Sequence, residues 1–164
     1  MTWRKNPEYW GTAGAGIIPV AEDTGRFLIP RRSREVNEPG TWGTIGGKLD
    51  AIDADYDDED WDEWADTKLE DPEDAALREF EEETCQCLAL ELVPLLVFQD
   101  AEVGFTYYNF LGLVKHEFDP CINWETDEWV WLTLDQLLDL EPKHFGLEAV
   151  LGDKASVLEM ARRS

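Results

Sequence analysis

The chain has 164 residues, of which 43% are hydrophobic and 12% aromatic, and a formal charge of −23. That apolar share offsets the ordering entropy of one domain-sized core, so global disorder is excluded. The charge tells against nucleic-acid backbones and anionic membranes as partners, and no apolar run approaches the roughly 20 residues of a spanning helix.

In chain order, the first residues, MTWRKNPEYWG, lack the apolar core and cleavage site of a signal peptide. Ala13–Val20 reads as a strand. Asp23-Thr24-Gly25 reads as a turn, and Arg26–Pro30 as the returning strand of a hairpin. Arg31, Arg32 and Arg34 follow, with a turn at Pro39-Gly40. Trp42–Gly47 is apolar and glycine-rich, which suits close backbone approach. Residues 50–66, DAIDADYDDEDWDEWAD, are nearly all acidic apart from Tyr56, Trp61 and Trp64, and read as a solvated loop or inserted segment.

A helix is strongly signalled after that. Asp71 suits the N-cap, Pro72 the first helical position, and Glu73 and Asp74 the positive helix end. Ala76, Leu77 and Phe80 form its buried stripe. Leu90–Phe98 reads as a strand despite Pro94, Phe105–Val114 as a longer aromatic strand, and Glu128–Leu132 as a short one. Leu134–Leu140 reads as a short helix and Leu147–Ala161 as a C-terminal amphipathic one. The irregular interleaving predicts a mixed sheet with helices packed on it. Cys85, Cys87 and Cys121 form a sparse, odd set without an export signal, so they read as free thiols in a reducing, cytoplasmic compartment. The Cys85-Gln86-Cys87 spacing does not suit a zinc knuckle.

Glu79, Glu82 and Glu83 stand at i, i+3 and i+4, so one helix face carries three like charges. Such a face is either solvated or carries a counter-ion. Hard divalent cations such as Mg²⁺ or Mn²⁺ take oxygen ligands and share them with substrate phosphates.

The stretch from Glu70 resembles the box of the Nudix (MutT-like) hydrolases, G-x5-E-x7-R-E-U-x-E-E-x-G-U with U apolar. Glu70, seven intervening residues and Arg78-Glu79-Phe80-Glu81-Glu82-Glu83 match its core. Gly40–Gly47 resembles the strand and glycine pair that open the box, and Ile122–Leu137 the family's later acidic loop, strand and short helix. There are departures. The box glycine would fall at Trp64, but the glycine pair stands at Gly46-Gly47, with the acidic segment of about residues 50–67 inserted between. Such an insertion is thermodynamically mild, since closure entropy grows slowly with length. The glycine ending the box is Cys85, where a left-handed conformation costs roughly 1 kcal/mol, and the next residue is Gln86. Ile45 replaces a proline often found before the glycine pair.

The resemblance implies a single α/β/α sandwich with a mixed β-sheet, spanning residues 1–164. It implies a pyrophosphohydrolase cutting a phosphoanhydride bond in a nucleoside diphosphate linked to another moiety. The metal, Mg²⁺ or Mn²⁺, would sit on Glu79, Glu82 and Glu83, helped by the Gly46 carbonyl. Arg78 would orient carboxylates from an ion pair with Glu70, with an ordinary i, i+4 pair to Glu82 as the plainer reading. Glu125 is the candidate base or extra ligand, with Asp127 and Glu128 as competitors. Arg31 and Arg32, or Arg34, are candidates for the leaving phosphate, and Phe105, Tyr107 or Tyr108 for base stacking. The partner would be a small nucleotide rather than nucleic acid or membrane, and a homodimer is left open. Two rivals stand beside this: a catalytically weak nucleotide sensor, and an interaction module docking a basic partner through the acidic insertion. Asp53-x-Asp55-x-Asp57 opens like a calcium loop, but Asp58 and Trp64 occupy its glycine and glutamate positions, which favours a solvated loop.

Overall fold

The computed structural model describes residues 13–36, 38–49, 70–100, 105–121, 125–144 and 146–152. The acidic insertion, its calcium-loop-like opening, the N-terminal segment and the C-terminal helix beyond residue 152 lie outside them.

Six strands form one sheet: β1 (Ala13–Ala21), β2 (Phe27–Arg32), β3 (Ile45–Lys48), β4 (Glu91–Asp100), β5 (Phe105–Val114) and β6 (Thr126–Leu132). Two helices accompany them, α1 (Pro72–Thr84) and α2 (Leu134–Asp139), and residues 146–152 are helical as well. The order is β4-β5-β1-β2-β6, with β3 also on β1. β1 runs parallel to β5 and antiparallel to β2 and β3, so the sheet is mixed. Its far edge is shared: Gly14–Ile17 pair with β3 and Val20 with β2, and Pro19 falls between the two ladders. Pro94 is tolerated because β4 is an edge strand, and the β4–β5 register shifts just after it.

The period-2 alternation of the central strands feeds two cores. Ala13, Ala15 and Ile17 of β1, Leu28 of β2 and Phe110 of β5 pack with Ala75, Ala76 and Phe80 of α1. Ile18 and Val20, Phe27 and Ile29, and Leu111 pack the other way, with Leu134 and Leu137 of α2 and Leu147, Val150 and Leu151. The chain is thus an α/β/α sandwich. Phe80 is fully buried, and truncating it to alanine would cost about 3–5 kcal/mol.

Two expectations need correction. Leu77 is only half-buried, because the buried stripe of α1 turns through Ala75, Ala76, Phe80, Glu83 and Thr84. Cys85 and Cys121 are not free thiols: they form a disulfide, with Cα atoms 5.8 Å apart, and Cys87 is free and exposed.

Candidate functional site

The cap of α1 aims its glutamates at β3. Asp71 accepts the Glu73 N–H at 2.9 Å, which satisfies one orphan donor of the first turn and stabilises the start by about 1 kcal/mol. At the far end Cys85 is left-handed (φ 61°, ψ 25°), and its N–H donates to Glu81 O. The helix therefore stops where a glycine would stop it, with a cysteine instead.

The last two turns lie over the glycine strand. Gly46 N–H donates to Glu83 Oε2 at 2.9 Å. A Cβ on Gly47 would stand 2.6 Å from Glu79 Oε1, and a Cβ on Gly46 would strike Ala15 O and the Tyr107 hydroxyl. Both glycines are thus required by close approach, Gly47 on the α1 face of the sheet and Gly46 on the opposite face.

Arg78 ties the acidic residues together. Its Nη2 and Nε donate to Glu70 Oε1 and Oε2 at 2.5 and 3.3 Å, a two-pronged contact. Its Nη1 reaches Glu79 Oε1 at 3.0 Å and Glu82 Oε2 at 3.3 Å, and Nη2 also meets Lys48 O. The Glu70 pair and the i, i+4 pair to Glu82 therefore coexist. Glu82 is the exposed member of the trio, Glu79 is half-buried and Glu83 is buried.

Glu125 comes to the same place from the other end of the chain. It precedes β6, its backbone carbonyl accepts Ser33 N–H at 2.9 Å, and its side chain hydrogen-bonds Glu83. Burial, then the charges of Glu125 and Glu79, hold the Glu83 carboxyl well above the usual range, against the Gly46 N–H. Burial also pushes Glu79 up to about 7, with Glu82 and Glu125 adding to the rise and Arg78 opposing it. Carboxylates crowded in low dielectric are costly to ionise without a nearby cation. The donor set is all oxygen, which suits Mg²⁺ or Mn²⁺. Among the described residues no group of three His, Cys, Asp or Glu side chains is arranged to hold a metal ion by itself, so a cation here would depend on phosphate oxygens and water for further ligands, as Mg²⁺ usually does.

On the other face of the sheet a cleft of about 510 Å³, open mouth included, is lined by Arg32, Phe98, Phe105, Tyr107, Asn109 and His144 among others. Tyr107 lies across Gly14, Gly16 and Gly46, and burial raises the pKa of its hydroxyl. Arg32 sits between cleft and carboxylates: burial lowers its pKa, while Tyr107, Glu83, Glu38 and Glu125 counteract this. His144 Nδ1 accepts the Gly146 N–H at 3.1 Å, so the single ring proton belongs on Nε2, 3.2 Å from Glu38 Oε2. Burial, reinforced by Arg32, lowers its pKa to about 3 and keeps the ring neutral.

The other candidates separate. The β2–β6 register shifts between Arg31 and Arg32, and the two arginines have different surroundings. Arg31 is engaged by Asp127 (3.0 Å) and Glu128 (3.4 Å) and lies over the Trp42 ring. Those two acids are thereby turned to Arg31, and Glu125 is the later-loop acid that meets Glu83. Arg34 is exposed. Tyr108 packs in the α1-side core, whereas Phe105 and Tyr107 line the cleft, with ring centroids 6.0 Å apart. Phe98, Asn109 and His144 were not anticipated. The even spacing of Tyr107 and Asn109 on one strand face was the available signal for Asn109; nothing local marked His144.

A family model described as "NUDIX domain" matches residues 11–151. Among solved structures, a MutT NUDIX hydrolase from Burkholderia pseudomallei is 26% identical, with 87% of this chain and 96% of that one covered at a TM-score of 0.57. A C. elegans Ap4A hydrolase in a binary complex is 18% identical over 90% and 98% of the two chains, at a TM-score of 0.64. The NUDIX domain of Shewanella oneidensis NrtR complexed with ADP ribose is 20% identical over 92% and 86%, at 0.57. No curated protein matches the chain significantly. Among the described residues no helix is long and apolar enough to cross a membrane.

Proposed function

The chain belongs to the Nudix family of pyrophosphohydrolases, and from that premise we propose that it hydrolyses a phosphoanhydride bond in a nucleoside diphosphate linked to another moiety, using Mg²⁺ or Mn²⁺. One observation supports this most: Glu79 and Glu83, with raised proton affinity, converge with Glu125 beside Gly46. That is a place where a divalent cation relieves a cost the fold otherwise bears.

In this reading Glu79, Glu82 and Glu83 hold the metal, with the Gly46 carbonyl as a further donor. When bound, the cation supplies Lewis acidity towards phosphoryl oxygens and lowers the pKa of the attacking water. Arg78, anchored on Glu70, fixes the directions of Glu79 and Glu82 as a positioning residue. Glu125 takes the proton of the attacking water or adds a ligand, and its hydrogen bond to Glu83 places it for either. Arg32, between carboxylates and cleft, neutralises a phosphate; Arg31, occupied by Asp127 and Glu128, is the poorer candidate. The whole chain works as one Nudix domain. Its partners are small nucleotides, in keeping with the Ap4A hydrolase and the ADP-ribose complex among similar structures.

The test is phosphate-product release from a panel of nucleoside diphosphate derivatives, with and without Mg²⁺ or Mn²⁺, for wild type and Glu82→Gln. Metal-dependent cleavage weakened in the variant is expected. Tight metal-dependent binding of one compound with no cleavage of any would replace the hydrolase by the sensor reading.

A further inference from the structure

A covalent cross-link stands where the two sources of carboxylates meet. The Cys85–Cys121 disulfide joins residues 36 apart in sequence. Cys85 caps α1 two residues after Glu83, and Cys121 lies four residues before Glu125. Beside the bridge, Cys121 N–H donates to Thr84 O at 3.1 Å and Gln86 Nε2 donates to Asp119 O at 3.2 Å. Cys121 Sγ lies 3.7 Å from Glu83 O. On its other side Cys121 O accepts the Trp129 indole N–H at 2.6 Å, which ties it to β6, the strand that Glu125 leads into.

The Glu83 and Glu125 side chains are in hydrogen-bond contact, yet they come from distant parts of the chain. The bridge and the two hydrogen bonds beside it join the end of α1 to the approach of β6, and the glutamine bond is exposed to competing water. Cys85 holds φ 61°, a conformation that a glycine adopts freely and a side chain does not. The cysteine is therefore present at a conformational cost, at the one helix end that faces the later acidic loop. Metal affinity depends steeply on the outer groups that fix ligand directions. Cys85 is exposed and Cys121 half-buried, so a small dithiol can reach the bridge.

We propose that the Cys85–Cys121 disulfide is a positioning element of the carboxylate site, holding Glu83 and Glu125 together for a divalent cation, so that the redox state of the bridge sets the cation affinity. This rests on the metal-dependent reading above. In the reductive step a thiolate of a small dithiol attacks one bridge sulfur and the S–S bond breaks. The second thiol of the reductant then displaces the mixed disulfide. Two electrons and two protons pass to Cys85 and Cys121, which become thiols, and the reductant closes as a cyclic disulfide. The reverse exchange, with that oxidised reductant, remakes the bridge. Coupling between two equilibria is reciprocal: if the bridge tightens cation binding, the bound cation favours the bridge by the same factor.

All measurements use the Cys87→Ser chain, so that the free exposed thiol takes no part in exchange. Calorimetry gives the Mg²⁺ Kd of the bridged protein and of the same protein reduced and then freed of reductant without air. It also gives the Kd of a chain carrying Cys85→Gly as well, which has no bridge but a relaxed helix end. Thermal melts, run first, set a temperature at which all three are folded, and Cys85→Gly carries the comparison should the reduced chain not fold. Kd is expected to rise about tenfold or more on reduction, with Cys85→Gly showing the reduced value and ignoring reductant. The second readout is the bridged fraction in a ladder of reduced and oxidised dithiothreitol, counted by thiol alkylation and mass. Saturating Mg²⁺ should favour the bridge by the same factor, and a tenfold shift is about 30 mV. An equal Kd in the bridged and unbridged proteins, or a ladder that Mg²⁺ does not move, overturns the proposal: the bridge then serves stability alone, and the enzyme reading stands. No Mg²⁺ binding by any of the three would remove the metal reading and this inference with it.

Discussion

Replacing Cys85 by glycine sets two effects of known sign against each other. The wild-type cysteine closes a disulfide with Cys121 across a sequence separation of 36 residues. The chain-entropy account of such a loop gives about 4 kcal/mol of stabilisation. The same cysteine occupies a left-handed backbone position, φ 61°, which costs a non-glycine residue about 1 kcal/mol. In oxidising buffer Cys85→Gly loses the first and recovers the second, for a net loss of about 3 kcal/mol. For a domain of this size that lowers Tm by about 6–12 °C. In reducing buffer the wild type has already lost the cross-link, so the variant becomes the more stable by about 1 kcal/mol. The assay is a pair of thermal melts of each protein, with and without dithiothreitol. The stability order should invert between the two buffers. A wild-type Tm indifferent to reductant, or a variant that trails by the same margin in both, would refute the reasoning.

The other predictions concern the site. Arg78→Lys keeps one charge but cannot fork between Glu70, Glu79 and Glu82; turnover or metal affinity should fall about 10–100-fold with little change in Tm. Gly46→Ala and Gly47→Ala should part company: the first meets backbone at Ala15 and loses about 1–3 kcal/mol in urea unfolding, while the second displaces the end of Glu79 and chiefly weakens Mg²⁺ binding in calorimetry. His144 has a folded pKa of about 3 against an ordinary 6.5, so its contribution is present above pH 6.5 and is lost as pH falls through that value towards 3. Between pH 7 and 5 the wild type should lose about 2 kcal/mol from this ring, and its Tm advantage over His144→Gln should shrink accordingly.

What could be read from the sequence was what local rules encode. Asp71-Pro72 announced the start of α1, and the strand runs around Ile17 and Phe110 announced the central sheet, because caps and alternation act within a few residues. The glutamate face of α1 followed from helical spacing, and the box match from Glu70 to Glu83. Long-range placement was less legible. Arg31 and Arg32 are adjacent in sequence, but only the fold shows that Arg32 borders the cleft while Arg31 pairs with Asp127 and Glu128. Asn109 looks like any polar residue on a strand until Leu96, thirteen residues away, takes its NH₂ group. The Cys85–Cys121 pair escaped a reading based on compartment and count, because only the fold brings the end of α1 to the approach of β6. Leu77 fitted the apolar period but borders an open groove with Leu88 and Leu90 instead of the core.

The central claim is that the acidic face of α1 works through a divalent cation. The most direct measurement is hydrolysis of a nucleoside diphosphate-linked substrate in ¹⁸O-water, titrated with Mg²⁺, for wild type and Glu83→Gln. The account predicts ¹⁸O in a phosphate product, release that saturates with Mg²⁺, and a fall of at least about a hundredfold in the variant, as expected for loss of a group that stabilises transition-state charge. Release that proceeds equally in excess chelator, or equally in Glu83→Gln, would contradict it.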